Sequence, residues 1–179
     1  MAEAMAARAE DVATADGVIR VITLQDQDRR NTFTPDMIAS LGEEIARAER
    51  DEQVGAVVLT HTGRVFCAGT DLNHLVSIAG DAARARAFLT ELVGLIRRLE
   101  RLPKFTVAAI EGPAVGGGFE LALACDVRVL GADAWVRLPE VTLGAVPGGG
   151  GVQRLTRFAG RGRTARAVLL AERLGARAC

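Results

Sequence analysis

Cysteine and histidine are scarce in this sequence, and tyrosine is absent. The three cysteines, Cys67, Cys125 and Cys179, are an odd number without paired spacing, and only two histidines accompany them. Disulfide frameworks use paired cysteines, and structural zinc sites use four closely spaced Cys or His ligands. The composition therefore argues against both, and we expect no metal.

Excess charge and long apolar runs are missing as well. Basic and acidic residues each number 22, so the formal net charge is zero and no overall field attracts nucleic acid or an anionic membrane. No stretch reaches the length of an uncharged membrane span. The N-terminal stretch 1–15 is interrupted by Glu3, Arg8, Glu10 and Asp11, so it lacks the apolar core of a secretion signal. We therefore expect a cytoplasmic protein, with no membrane and no nucleic acid among its partners.

Positive charge is nevertheless concentrated near the end of the chain. Only Glu172 opposes this basic run, which consists of Arg154, Arg157, Arg161, Arg163, Arg166, Arg173 and Arg177. Such a run is more typical of a solvated helix face than of a phosphate-binding surface.

The chain is long enough to bury one core, with 179 residues of which 49% are hydrophobic and 25% charged. We predict a flexible N-terminal extension over residues 1–16 and a single domain over residues 17–179. Apolar periodicity predicts strands at 17–24, 54–60, 65–68, 105–110, 126–130 and 134–138, and helices at 34–51, 81–102, 121–125 and from near Val152. Strands in pairs, each pair followed by a helix, indicate an α/β fold with a ββα rhythm.

The stretch Gly112–Glu120 places three consecutive glycines between a predicted strand and a predicted helix. Glycine at such a corner lets the backbone approach a ligand, and the free N–H groups of the first helical turn stabilise negative charge. Tight turns and close helix packing also require glycine, so the corner alone does not decide between these interpretations.

A second glycine turn and two glutamates extend the same hypothesis. Gly69-Thr70-Asp71 follows a predicted strand and could supply a second N–H donor to a carbonyl oxygen held by Gly117. The alternative is an ordinary turn in which Asp71 caps the segment that follows. Glu120 and Glu140 lie beside apolar residues, where two carboxyls can acquire different proton affinities and serve as acid and base. Most glutamates, however, are simply solvated.

Three ordered segments resemble the enoyl-CoA hydratase/isomerase (crotonase) superfamily. They are Phe66–Leu72 (FCAGTDL), Gly112–Asp126 (GPAVGGGFELALACD) and Leu138–Leu155 (LPEVTLGAVPGGGGVQRL), and Arg30-Asn31 ahead of the Thr34 helix is similar too. The resemblance runs from about residue 17 to the last residue. It implies an α/β fold of the crotonase type, a superhelix or spiral of ββα units.

The resemblance also implies a site and a reaction. The amides of Thr70 and Gly117 would form an oxyanion hole, Glu120 would activate water, and Glu140 would exchange the proton at the α-carbon of a 2-enoyl-CoA thioester. The amide of Gly148 would help to bind that water. Substrate-binding positions would be Ala68, Gly69, Thr70, Asp71, Leu72 and Gly117, with Arg30 as a phosphate contact. Coenzyme A would belong to the substrate, so no separate cofactor is expected.

The sequence departs from the family pattern at its end. Members of the family continue into C-terminal helices that cover the acyl pocket and build a trimer, whereas this sequence stops near Gly175. By resemblance we expect a homo-oligomer, a trimer or a hexamer.

Two alternatives to a hydratase stay open. One is an enoyl-CoA isomerase or another acyl-CoA enzyme of the crotonase type. The other is a truncated member acting as an assembly partner or an RNA binder, for which the basic run is the only support. His61 and His74 are more typical of packing than of catalysis.

Overall fold

The computed structural model describes residues 6–177. In chain order its elements are β1 (Ala7–Thr14), β2 (Gly17–Leu24), α1 (Pro35–Arg50), β3 (Val54–His61), α2 (Leu72–Ile78), α3 (Ala82–Glu100), β4 (Phe105–Ile110), β5 (Ala114–Val115), α4 (Gly117–Leu123), β6 (Val127–Leu130), β7 (Trp135–Arg137), a 3₁₀ turn (Glu140–Leu143), α5 (Gly151–Leu169) and β8 (Leu174–Gly175).

Two sheets organise these elements. The larger has the strand order β1-β2-β3-β4-β6, in which only the β1–β2 pair is antiparallel. The smaller has the order β5-β7-β8. Cys67 forms an isolated parallel bridge with Ala114, so it occupies the position of the second strand in the unit that begins with β3. The ββα rhythm predicted from the sequence is thereby confirmed, although the predicted strand at 65–68 is reduced to that single bridge.

The N-terminal prediction was wrong. Residues 7–14 form β1, which pairs with β2 from Ala7 opposite Leu24 to Thr14 opposite Gly17. Arg20 of β2 donates two hydrogen bonds of 2.7 Å to the Asp11 carboxylate and one of 2.9 Å to Asp51. This hairpin belongs to the domain, and the predicted flexible extension fails for these residues. Residues 1–5 lie outside the described part of the chain.

Helices α1 and α3 begin where the sequence predicted. Thr34 caps α1 by accepting a hydrogen bond from the Met37 amide at 3.1 Å, with Pro35 at the first helical position. Asp81 caps α3 in the same way through the amides of Ala83 and Arg84. Helix α1 buries an apolar face against β1, β2 and β3 of the larger sheet, whereas α3 packs against the helices α1, α2 and α4, and both contribute to the core of the domain.

Helix α4 begins four residues earlier than predicted. Its first residues, Gly117 and Gly118, are fully enclosed, and an added Cβ at Gly118 would lie 2.3 Å from the Cys67 carbonyl oxygen. The helix start is therefore pressed against the backbone of residue 67. Among residues 6–177, no helix combines the length and apolar composition required to cross a bilayer.

Candidate active site

Two glycine turns from distant parts of the sequence touch each other at the start of α4. Gly69 has a φ of +90°, and an added Cβ there would lie 2.8 Å from the Val115 carbonyl oxygen and 3.4 Å from the Gly117 nitrogen. A side chain would separate the turns, and the positive φ would itself be strained for any other residue. Glycine at position 69 is thus what allows the segment at Thr70 to approach α4.

Backbone hydrogen bonds fasten the two turns together. The Val115 amide donates to the Cys67 carbonyl at 2.9 Å, and the Phe66 amide donates to the Pro113 carbonyl at 3.0 Å. On the other side, the Gly116 amide donates to the Arg137 carbonyl of β7 at 2.8 Å. The relative position of the turns is therefore set by main-chain contacts.

The amides of Thr70 and Gly117 have no hydrogen-bond partner among residues 6–177. The bonds around Thr70 use its neighbours, because the Phe33 amide donates to the Gly69 carbonyl and the Asp71 amide donates to the Phe33 carbonyl. Gly117 is the first residue of α4, where an N–H has no acceptor within the helix. Within the described range neither N–H donates to a protein group, so both are free to bind an oxygen.

Glu120 lies one turn into α4 and is 3% exposed. Its Oε1 accepts a hydrogen bond from the Gly151 amide at 2.8 Å, and the Gly149 amide also bonds the carboxylate. Burial raises the pKa of the Glu120 carboxyl, whereas the two amides and the Arg154 guanidinium oppose this rise because they favour the ionised form.

Glu140 opens the 3₁₀ turn, and its carboxyl lies beside Gly116, the residue that precedes α4. An added Cβ at Gly116 would lie 3.1 Å from its Oε1, and its Oε2 is buried without a partner among the described residues. Burial raises the pKa of the Glu140 carboxyl, its own amide opposes the rise, and the charge of Glu120 adds to it. Glu140 therefore has fewer contacts that stabilise the ionised form than Glu120 has.

The other predicted site residues are placed unevenly. Gly148, whose amide is predicted to help bind water, is exposed, and the amides that bind Glu120 belong to Gly149 and Gly151. Ala68 is tied to the Arg30 corner, since its amide donates to the Arg30 carbonyl at 3.1 Å, and the Arg30 side chain is exposed.

Asp71 and Leu72 follow the free amide of Thr70. The Asp71 carboxylate caps α2 through the His74 amide at 2.7 Å, which agrees with the alternative interpretation of this turn as a helix start. The Leu72 side chain is 58% exposed beside it. The Thr70 amide remains available to a ligand, whereas the side chain, the N–H and the carbonyl of Asp71 are already engaged.

The two histidines pack against phenylalanine rings. The ring centroids are 5.6 Å apart for His61 and Phe66, and 4.6 Å apart for His74 and Phe88. No cluster of three or more His, Cys, Asp or Glu side chains that could hold a metal ion occurs between residues 6 and 177.

The sequence reasoning missed Arg154. The basic run predicts a solvated face for Arg154, but this side chain is 6% exposed, donates to the Gly149 carbonyl at 2.5 Å and pairs with Glu100 through two hydrogen bonds. Position was the available signal, because Arg154 lies one helical turn after the glycine run and next to the apolar Leu155. Of the other arginines in the run, Arg166 forms a salt bridge with Glu172, which neutralises part of the positive charge of the run.

The chain is similar to known proteins in sequence and in fold. A family model described as "Enoyl-CoA hydratase/isomerase" matches residues 14–178. "Probable enoyl-CoA hydratase EchA14" of Mycobacterium tuberculosis is 43% identical over 157 residues, which cover 88% of this chain and 60% of the relative. "Short-chain-enoyl-CoA hydratase" of Clostridium acetobutylicum is 35% identical over 162 residues, covering 90% of this chain and 61% of the relative.

The fold of the chain is also similar to that of a solved structure. The crystal structure of an enoyl-CoA hydratase from Bacillus anthracis superposes with a TM-score of 0.87 at 30% identity, covering 94% of this chain and 65% of that one. The chain thus spans about 60% of the length of the two curated relatives.

Proposed function

Because the chain belongs to the enoyl-CoA hydratase/isomerase (crotonase) family, we propose that it adds water across the double bond of a 2-enoyl-CoA thioester. The observation that carries the proposal is the contact of the Gly69 turn with Gly117 at the start of α4, beside which the carboxyls of Glu120 and Glu140 lie.

The amides of Thr70 and Gly117 would bind the thioester oxygen. When water attacks the β-carbon, electrons move from the double bond toward the thioester, and negative charge develops on that oxygen. Donors that are already fixed stabilise this charge without reorienting, and such electrostatic stabilisation is commonly the largest contribution to catalysis. The backbone contacts between the two turns would hold the donors in place.

The environments of the two glutamates suggest their roles. Glu120, which accepts two amide hydrogen bonds, is the better candidate for the ionised base that removes a proton from the attacking water. Glu140, whose Oε2 has no donor among the described residues, is the better candidate for the acid that delivers a proton to the α-carbon. One proton leaves water and one reaches carbon, so the net change is the addition of one water molecule.

The remaining parts of the substrate would bind around the Thr70 turn. Backbone groups of residues 68–72 would receive the adenine and pantetheine portions of coenzyme A, and the exposed Arg30 side chain would contact a phosphate. We propose that the Gly148 amide contributes to binding the attacking water from the exposed side of the glycine turn.

Hydration of crotonyl-CoA, followed as loss of the conjugated enoyl absorbance, tests the proposal. Glu120→Gln and Glu140→Gln should each reduce kcat by about 10²-fold or more, because each removes one proton transfer. Glu91→Gln, on the exposed face of α3, is the matched control and should retain the parent rate. A folded, assembled parent protein without turnover would contradict the proposal.

An isomerase is the second candidate, and the unpartnered Oε2 of Glu140 favours it. One carboxyl beside an oxyanion hole can move a proton between the α- and γ-carbons without a water-activating base. If Glu120→Gln converts a 3-enoyl-CoA to its 2-enoyl isomer while losing hydration, isomerisation is the better description.

We also propose that copies of the chain assemble into a homo-oligomer. The outer face of β4 and β6 leaves Phe105 54%, Val127 40% and Val129 56% exposed, and contiguous apolar faces of this kind usually meet a partner. Mass determination in solution, with Val129→Lys as the disrupting variant, tests this.

A further inference from the structure

We propose that Arg154 is a positioning residue for Glu120, which it serves by holding the Gly149–Gly151 turn so that the amides of the turn bind the carboxylate. The inference rests on the function proposed for Glu120.

Arg154 connects three separate parts of the fold. It is 6% exposed, and its Nη1 donates to the Gly149 carbonyl at 2.5 Å. Its Nε and Nη2 donate to the two carboxylate oxygens of Glu100, the last residue of α3, at 3.0 and 2.7 Å. A guanidinium held at both ends in this planar geometry has little freedom to move.

The glycine turn lies between Arg154 and Glu120. An added Cβ at Gly150 would be 2.4 Å from Nη1 of Arg154, whereas one at Gly149 would be 2.6 Å from Oε2 of Glu120. An added Cβ at Gly151 would be 2.9 Å from Oε1 of Glu120. The backbone of the turn thus contacts the guanidinium on one side and the carboxylate on the other.

Loss of Arg154 would affect Glu120 in two ways. The Gly149 carbonyl would lose its donor, so the turn would no longer be fixed and its amides would bind the carboxylate less well. The positive charge near Glu120 would also disappear. Both changes disfavour the ionised carboxylate, so the pKa of Glu120 would rise further above its ordinary value.

Helix α3, which ends at Glu100, also offers a matched control. Arg98 and Glu49 form another close ion pair that involves α3, but Arg98 is 43% exposed there and the pair contacts none of the site residues. Arg98→Gln removes a pair of the same chemistry and should leave the behaviour of Glu120 unchanged.

The experiment compares Arg154→Gln, Arg154→Lys and Arg98→Gln. For each, the titration of the Glu120 carboxyl is followed by carbon NMR, and the pH profile of kcat for crotonyl-CoA hydration is recorded.

Arg154→Gln should move the Glu120 titration and the acidic limb of the profile about one pH unit higher, which is about a tenfold loss of rate on that limb. Arg154→Lys should recover part of both effects, because an ammonium group can still donate to Gly149. If Arg154→Gln does not fold, Glu100→Gln, which weakens one end of the connection, should shift both readouts in the same direction.

The outcomes separate this inference from the proposed function. A Glu120 titration that moves in a protein without hydratase activity would support the positioning role and overturn the function. Unchanged titration and an unchanged acidic limb in folded Arg154→Gln or Glu100→Gln would overturn the positioning role, whatever the activity of the parent protein.

Discussion

Replacing Gly118 by alanine tests whether close backbone contact between the two glycine turns holds the site together. The new Cβ would lie 2.3 Å from the Cys67 carbonyl oxygen and 2.7 Å from the Cys67 Cβ. Real Cβ contacts are essentially never shorter than 3.0 Å, so the turn would have to retreat by the difference, about 0.7 Å. The same Cys67 carbonyl accepts the hydrogen bond from Val115, so the retreat would strain the connection between the turns.

The cost can be estimated from overpacking in other cores. Forcing an extra carbon into a packed interior costs about 1–3 kcal/mol of unfolding free energy. With a urea m-value of about 2 kcal/mol/M, the unfolding midpoint should fall by roughly 0.5–1.5 M. Thr70 moves with Cys67, so its amide would be displaced relative to Gly117, and a displacement approaching 1 Å can lower a rate by about 10²-fold.

Gly94→Ala is the control for this substitution. Gly94 lies in the exposed part of α3, where an added Cβ would meet no neighbouring atom within 4 Å, so alanine there should stabilise the helix by up to about 1 kcal/mol. The reasoning is refuted if Gly118→Ala unfolds at the parent urea concentration, or if it hydrates crotonyl-CoA within twofold of the parent rate.

Three further predictions concern charge and hydrogen bonding around the site. Folding raises the pKa of Glu140, so the stability linked to this group is present below the ordinary glutamate pKa and is lost as pH rises through the raised pKa. In urea titrations, Glu140→Gln should therefore be more stable than the parent at alkaline pH but not at acidic pH. Asn31→Ala should lower the unfolding free energy by about 2 kcal/mol, because the buried amide donates to the carbonyls of Val65 at 2.8 Å and Thr62 at 3.3 Å; unchanged denaturation curves would contradict this. Arg30→Gln should raise the KM for crotonyl-CoA a few-fold with little change in kcat, and the difference should shrink as salt is added.

Local signals in the sequence were sufficient for α1 and α3. A capping side chain, a proline or an apolar period fixes each of these helices within a few residues, and the predicted ranges begin at Thr34 and Asp81, the residues that cap the two helices. The ββα order was also predictable, because strand and helix periods alternate clearly from residue 17 onward. In each case, the residues that determine the helix or strand lie within it or next to it in the sequence.

Strand β1 had no such signal. It is an edge strand whose residues after Ala9 are exposed on both faces, so it does not show the alternation of a half-buried strand. Its stability comes from pairing with β2 and from Arg20, which only the folded chain brings to Asp11.

The candidate site shows the same division between local and distant causes. Glu120, Glu140 and the two glycine turns were identifiable from short motifs. The pairing of Arg154 with Glu100 was not, because Glu100 lies 54 positions away in sequence and nothing near Arg154 reveals it. The environments that distinguish the two glutamates likewise depend on contacts made by residues remote in the chain.

The free N–H groups at positions 70 and 117 have a consequence for how this scaffold can diverge. An amide is present in every residue except proline, so replacing the side chain of Thr70 leaves its donor intact. Side chains around the corner can therefore change, and with them the molecules admitted, while the two N–H donors proposed to polarise a carbonyl are kept by the path of the main chain. Substitutions in such a protein should therefore change the range of ligands that it binds sooner than they change the chemical group that the two amides would bind.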